Sequence, residues 1–124
     1  MIAGLGIDMI EVERVATKIS REAGFRELVF SKKEIDYCES KTDKFVHYAA
    51  RFAAKEAFFK ALGTGWAEGT AFNEVEITND ATGKPELSLL GATATSLVVN
   101  GIIKISLSLS HLKTIASAIV IIEN

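Results

Sequence analysis

The sequence predicts an α+β fold, a small antiparallel sheet packed on helices, and three observations carry it. The first is a long Ala-rich segment that runs from the polar joint 40–43 to Gly63 and carries all but the last two residues of the block ARFAAKEAFFKALGTG, 50–65. Alanine has the highest helix propensity, and Ala50, Ala53, Ala54, Ala57 and Ala61 recur at helical spacing, so one face can pack closely. The second is strict alternation over 103–110, with Ile103, Ile105, Leu107 and Leu109 opposed to Lys104, Ser106, Ser108 and Ser110, which predicts a half-buried strand. The third is the nearly all-apolar run 115–122, joined to that strand through 110–114 as a hairpin.

The remaining elements follow in order. Ile2 to Ile7 is apolar and contains glycines, which suits a short buried strand, and Asp8 is expected where the strand gives way to helical periodicity. Val12, Val15, Ala16, Ile19 and Ala23 mark the apolar stripe of that helix, and Gly24 is expected to stop it as a C′ residue. Ser31-Lys32-Lys33-Glu34 has the S-x-x-E form of a capping box and opens a short helix to about Glu39. Segments 75–78 and 86–89 read as strands around a turn punctuated by Gly83 and Pro85, and 91–99 as a helix.

A chain of 124 residues that is 48% hydrophobic is expected to form one domain over 1–124. It has no uninterrupted apolar run of the ~18 residues a membrane helix needs. No basic segment leading into an apolar stretch opens the chain, so secretion is not expected and the cytoplasm is. The single cysteine, Cys38, excludes an intrachain disulfide and reads as a partly buried helix residue. With a formal net charge of −2, nucleic acid is not an expected partner. Attraction for an acidic partner must come from a local patch.

The long helix carries Arg51, Lys55, Glu56 and Lys60, basic groups suited to phosphate beside one carboxylate suited to a hard cation. Asp8 is the candidate second carboxylate. Each has a plainer reading. Asp8 with Glu11 forms D-x-x-E, a possible helix cap, and Glu56 precedes Lys60 by four residues, the favourable order for a helical ion pair. His111 in a hairpin turn is by default solvated. Arg14, Lys18 and Arg21 align on one helix face and are by default a solvated surface. Gly4 and Gly6 begin a G-x-G-x-x-G pattern, but its third glycine position is Met9, and Gly83-Lys84 lacks the rest of a P-loop.

Four blocks together, GIDMIEVERV, ARFAAKEAFFKALGTG, NDATGKPEL and SLSH with TIASAIV, span nearly the whole chain. In this order they resemble the short 4′-phosphopantetheinyl transferases. The resemblance implies that Asp8 and Glu56 bind Mg²⁺ and, with Lys60 near the diphosphate, form the catalytic group. It implies that His111 helps form the coenzyme A pocket, with Arg51, Lys84 and Pro85 near the nucleotide end and Gly63 and Gly65 in the corner after the long helix. Arg14, Lys18, Arg21 and Phe25 are implied to meet an acidic acyl carrier protein. The implied reaction moves 4′-phosphopantetheine from coenzyme A to a serine of that protein, and the implied assembly is a homotrimer with sites between subunits. The apolar last strand offers a physical reason to associate. Two other classes stay open on the residues alone: a metal-dependent diphosphate hydrolase, and a non-catalytic module for an acidic partner.

Overall fold

The computed structural model describes residues 1–65 and 69–124. Strand β1 (Ile2–Glu11) is followed by helices α1 (Val12–Arg21), α2 (Phe25–Val29), α3 (Lys32–Glu39) and α4 (Lys44–Leu62). Then come β2 (Val75–Asn79), β3 (Pro85–Leu89), α5 (Gly91–Ser96), β4 (Lys104–His111) and β5 (Ile115–Glu123). Short 3₁₀ turns at Phe72–Glu74 and Val98–Asn100 precede β2 and β4. The expected α+β class is borne out. The strands form two antiparallel sheets rather than one, a three-stranded sheet in the order β1-β5-β4 and the β2–β3 hairpin.

β1 is longer than its sequence suggests. It pairs with β5 from Ile2 opposite Glu123 to Glu11 opposite Ile115, with an irregularity between Ile2 and Gly4. Asp8, opposite Ala118, therefore lies inside the strand and does not cap a helix. Helix α1 begins only at Val12, and Glu11 at its N-cap makes no side-chain capping bond. Pairing along the whole of β5 has overridden the helical pattern of 8–11, as tertiary context does with propensity. Gly24 adopts the left-handed conformation, φ 84°, but as the N-cap of α2, a short helix the sequence pattern did not reveal. The capping box at Ser31 and Glu34 is present as expected.

Helix α4 runs through both apolar clusters. Ala53, Ala54, Ala57, Phe58, Phe59 and Ala61 pack with Val75, Ile77, Ala118, Val120 and Ile122, while Val46, Tyr48, Ala49 and Ala50 pack with Val12, Val15, Phe30 and Ala116. It is thus buried nearly all round rather than on one face, which places Arg51 and Lys55 inside the protein as well. Cys38 is fully buried, and burial pushes its thiol up to about 12.

The alternation of β1 divides its residues cleanly. Gly4, Gly6, Asp8 and Ile10 face α4, and Leu5, Ile7 and Met9 stand on the outer surface at 62%, 62% and 66% exposure. The two glycines let strand and helix meet closely. A β-carbon on Gly4 would collide with the carbonyl oxygen of Ala61, and one on Gly6 with that of Ala57.

Candidate active site

That close approach builds the site. With no side chain at Gly6, β1 lies against the backbone of α4, and the next inward residue, Asp8, reaches the polar side of its last turns. Lys60 Nζ donates to Asp8 Oδ1 at 2.9 Å and to the Ile7 carbonyl at 3.0 Å. Lys60 therefore pairs with the strand carboxylate and not with Glu56, contrary to the plain helical ion-pair reading. Asp8 keeps only 16% side-chain exposure, whereas Lys60 remains open to solvent at 56%. Glu56, one turn before Lys60, is half-buried. Burial raises its carboxyl above the ordinary range, the charge of Asp8 raises it further, and Lys60 opposes both.

Two carboxylates thus crowd each other with a single ammonium beside them. The donors are all oxygen, which suits a hard cation, and Mg²⁺ commonly takes one or two protein carboxylates and completes its shell with water and substrate phosphate. Asp8 and Glu56 fit such an ion. Among the described residues no group of three or more His, Cys, Asp or Glu could hold a metal without outside oxygens. Gly63 ends α4 in the left-handed conformation, φ 80°, its N–H bonded to the Lys60 carbonyl, and Gly65 follows at φ 63°.

A second polar region lies around the first half of α4. Arg51 is 3% exposed, its guanidinium stacked 4.2 Å from the Tyr37 ring centroid, and Nη2 donates to Asn79 Oδ1 at 2.8 Å. Asn79 in turn donates to the Gly83 carbonyl at 3.0 Å, so Arg51 is tied to the turn that carries Lys84 and Pro85. Among the described residues Arg51 Nε is buried with no partner, and Arg51 lines a cleft of about 460 Å³ together with Lys33, Tyr37, Asn79 and Gly83. His111 ends β4 with its ring 6.0 Å from that of His47, which lies one turn before Arg51. Nine residues separate His47 from Glu56, or ~13 Å along the helix axis. Within one chain, His111 and the carboxylates are not brought together.

Lys55 does not face a phosphate site as its position in the sequence suggested. Its ammonium is fully buried and donates to Glu34 Oε1 at 2.8 Å, to the Phe72 carbonyl at 2.8 Å and to the Val75 carbonyl. Burial lowers its pKa while the Glu34 charge and hydrogen bond work against that. The capping box at Glu34 was legible, but nothing in the spacing marked its partnership with Lys55. On α1, Arg14 and Arg21 are exposed as expected. Lys18 pairs with Glu22 at 3.7 Å and sits 5.6 Å from the Phe25 ring centroid, so the basic stripe and Phe25 form one surface.

Two carboxylates and an ammonium meet where β1 crosses the last turns of α4, a donor set suited to a hard cation and to phosphoryl groups. The family model of the 4′-phosphopantetheinyl transferase superfamily matches residues 4–116. A holo-[acyl-carrier-protein] synthase of Solibacter usitatus is 44% identical over 125 residues, covering all of both chains. The crystal structure of that enzyme from Neisseria meningitidis superposes with a TM-score of 0.90 at 33% identity over all of both chains. A Bacillus anthracis holo-(acyl-carrier-protein) synthase in complex with CoA (3′,5′-ADP) matches with a TM-score of 0.80 at 34% identity, covering 98% of this chain and 96% of that one. The chain belongs to the 4′-phosphopantetheinyl transferase superfamily, among its holo-[acyl-carrier-protein] synthases.

Proposed function

We propose that the chain transfers 4′-phosphopantetheine from coenzyme A to a serine hydroxyl of apo acyl carrier protein and releases adenosine 3′,5′-bisphosphate. The observation that carries this reading is the meeting of Asp8, Lys60 and Glu56 across β1 and α4. Phosphoryl transfer depends on positioning and charge neutralisation more than on covalent participation by the protein. In the transfer, the serine oxygen forms a bond to the pantetheine-side phosphorus while the bond from that phosphorus to the bridging oxygen breaks. Glu56 accepts the serine proton, directly or through a water. Lys60 swings from Asp8 to offset charge on the bridging oxygen as it leaves. Asp8 and Glu56 would hold Mg²⁺, which supplies further charge neutralisation at the diphosphate.

The nucleotide end of coenzyme A is assigned to the cleft wall at Arg51 and the turn at Lys84 and Pro85, with His111 beside it. The Arg51 guanidinium, whose partners here are the neutral Asn79 amide and the Tyr37 ring, supports an anionic occupant. Among the described residues nothing stands within 4 Å of a β-carbon built at Gly63 or Gly65, which suits a close-lying diphosphate. Arg14, Lys18, Arg21 and Phe25 form the proposed docking face for the acidic carrier protein. The separation of His111 from Glu56 supports sites shared between subunits of a homotrimer. So does the apolar outer surface of Leu5, Ile7 and Met9. The whole chain is read as one domain, since α4 runs through both apolar clusters. A cytoplasmic setting suits its acyl carrier partner; among the described residues no helix is long and apolar enough to cross a membrane.

Mass spectrometry of apo acyl carrier protein incubated with the chain, coenzyme A and Mg²⁺ tests this reading. A gain of one phosphopantetheine, lost with chelator and restored by Mg²⁺, is expected. Cleavage of coenzyme A without an acceptor would instead identify a hydrolase.

A further inference from the structure

The buried pair Lys55–Glu34 is spent neither on the reaction nor on any surface. Its geometry is closed. Glu34 Oε1 accepts from Lys55 and from the Ser31 N–H at 2.9 Å, and Oε2 accepts from the Ile77 N–H at 3.0 Å. Lys55 spends its other two donors on the carbonyls of Phe72 and Val75. Three of these partners belong to the main chain of β2 and the turn before it. Val75 and Ile77 use for this the strand edge turned away from β3, because the Glu74 carbonyl, one residue out of phase, bonds to Leu90 N on the other side. An unpaired strand edge is ordinarily satisfied by another strand. Here an ion pair takes that place.

Helix α4 grips the hairpin at a second point one turn earlier, where Arg51 holds Asn79 and Asn79 holds the Gly83 carbonyl. Lys55 is thus the clamp at the base of the hairpin and Arg51 the clamp at its tip. The side of α4 that carries Glu56 and Lys60 faces β1 instead. One helix therefore holds the reacting groups on one side and the hairpin on the other.

We propose that Lys55 and Glu34 are positioning residues for donor binding: they clamp β2 to α4 and so hold the Gly83-Lys84-Pro85 turn where it meets the nucleotide end of coenzyme A. This rests on the reading of the turn as that end's binding site. Neither residue touches the donor. Loosening the clamp should weaken the hold on coenzyme A while leaving Asp8, Glu56 and Lys60 in place.

The test is a split between kinetic constants. Lys55→Met strands a charged Glu34 in the interior, a change that can prevent folding. The double variant Glu34→Gln/Lys55→Met leaves no uncompensated charge and is assayed beside it, each confirmed folded by circular dichroism. A raised KM for coenzyme A, by ~10-fold or more, is expected, with the inhibition constant of adenosine 3′,5′-bisphosphate raised in parallel. The kcat and the KM for carrier protein should stay within ~3-fold of the parent, because catalytic contacts and binding contacts are separable in this way. A merely structural role would lower the amount of active protein and leave KM unchanged, and that result overturns the proposal. Hydrogen exchange on the unmodified protein needs no variant. Adenosine 3′,5′-bisphosphate should slow exchange across Val75–Asn79, and slowing elsewhere but not there would also overturn the clamp. If that nucleotide slows exchange nowhere and the parent transfers nothing, the functional reading itself has failed.

Discussion

Gly6→Ala puts the strand–helix contact to a quantitative test. A β-carbon there would fall on the Ala57 carbonyl oxygen, with Ala61 N at 2.7 Å and Ala57 C at 2.9 Å. Unstrained carbon contacts lie at ~3.5–4.0 Å, so β1 must retreat from α4 by on the order of 1 Å. The obstruction is helix backbone and cannot rotate aside. Overpacking of this kind costs ~1–3 kcal/mol, which for a chain of this length lowers Tm by roughly 3–15 °C. Asp8 is the next residue on the same face and moves with the strand, away from Lys60 and Glu56. Misplacing a catalytic group by ~1 Å can cost ~10²-fold in rate. We therefore expect kcat for phosphopantetheine transfer to fall about 100-fold in a protein that is still folded at assay temperature. Thermal melting and steady-state transfer assays measure the two effects separately. An unchanged Tm would show that strand and helix are not so closely apposed. A lowered Tm with parental kcat would show that the placement of Asp8 does not depend on this glycine.

Three further outcomes are expected. Glu56→Gln should abolish most transfer yet stabilise the metal-free protein at neutral pH, because a carboxyl whose folded pKa is raised loses stability as pH climbs through that value. Melting curves should show the gain vanish in acid, where Glu56 is protonated in folded and unfolded chains alike, and a variant less stable than its parent at neutral pH would contradict this. Arg14→Glu with Arg21→Glu should raise the KM for carrier protein and leave that for coenzyme A nearly unchanged, and added salt should weaken the parent similarly, since surface charges are screened over ~8–10 Å. Equal losses toward both substrates would point to a different docking face. Mixing inactive Glu56→Gln and His111→Ala subunits should restore partial activity if sites are shared between chains, and no recovery after demonstrated subunit exchange would refute sharing.

Much of this architecture was legible because its signals are local. Helix α4 announced itself through its alanines, β4 through strict alternation, and α3 through a capping box that the structure reproduces. The fate of Asp8 was not legible in the same way. Its D-x-x-E context favours a cap locally, and only pairing with a strand more than 100 residues later keeps it in β1. The juxtaposition of Asp8 with Glu56 likewise came from resemblance and not from spacing. Lys55 misled for a related reason. A lysine on a helix reads as exposed until its buried partner is known, and Glu34 lies 21 residues away with its capping role already accounting for it. The apolar β5 was expected to supply the associating surface. It is the central strand, and its outward Ile119 and Ile121 lie opposite Ile7 and Leu5 of β1, so the two strands share the apolar outer face of the sheet.

The glycines of β1 also act as a check on how the chain assembles. Slipping a strand by one residue turns each of its side chains to the opposite face. A β1 that slipped along β5 would keep most of its ladder bonds but send Asp8 to the surface and swing Leu5 and Ile7 toward α4. No room exists there, since even a methyl group at Gly4 or Gly6 strikes the helix backbone. The mispaired strand could not seat, and the helix would be left unclosed. Correct pairing and the meeting of Asp8 with Lys60 are thus one event in folding, so transfer activity during refolding should never precede the moment β1 locks into place.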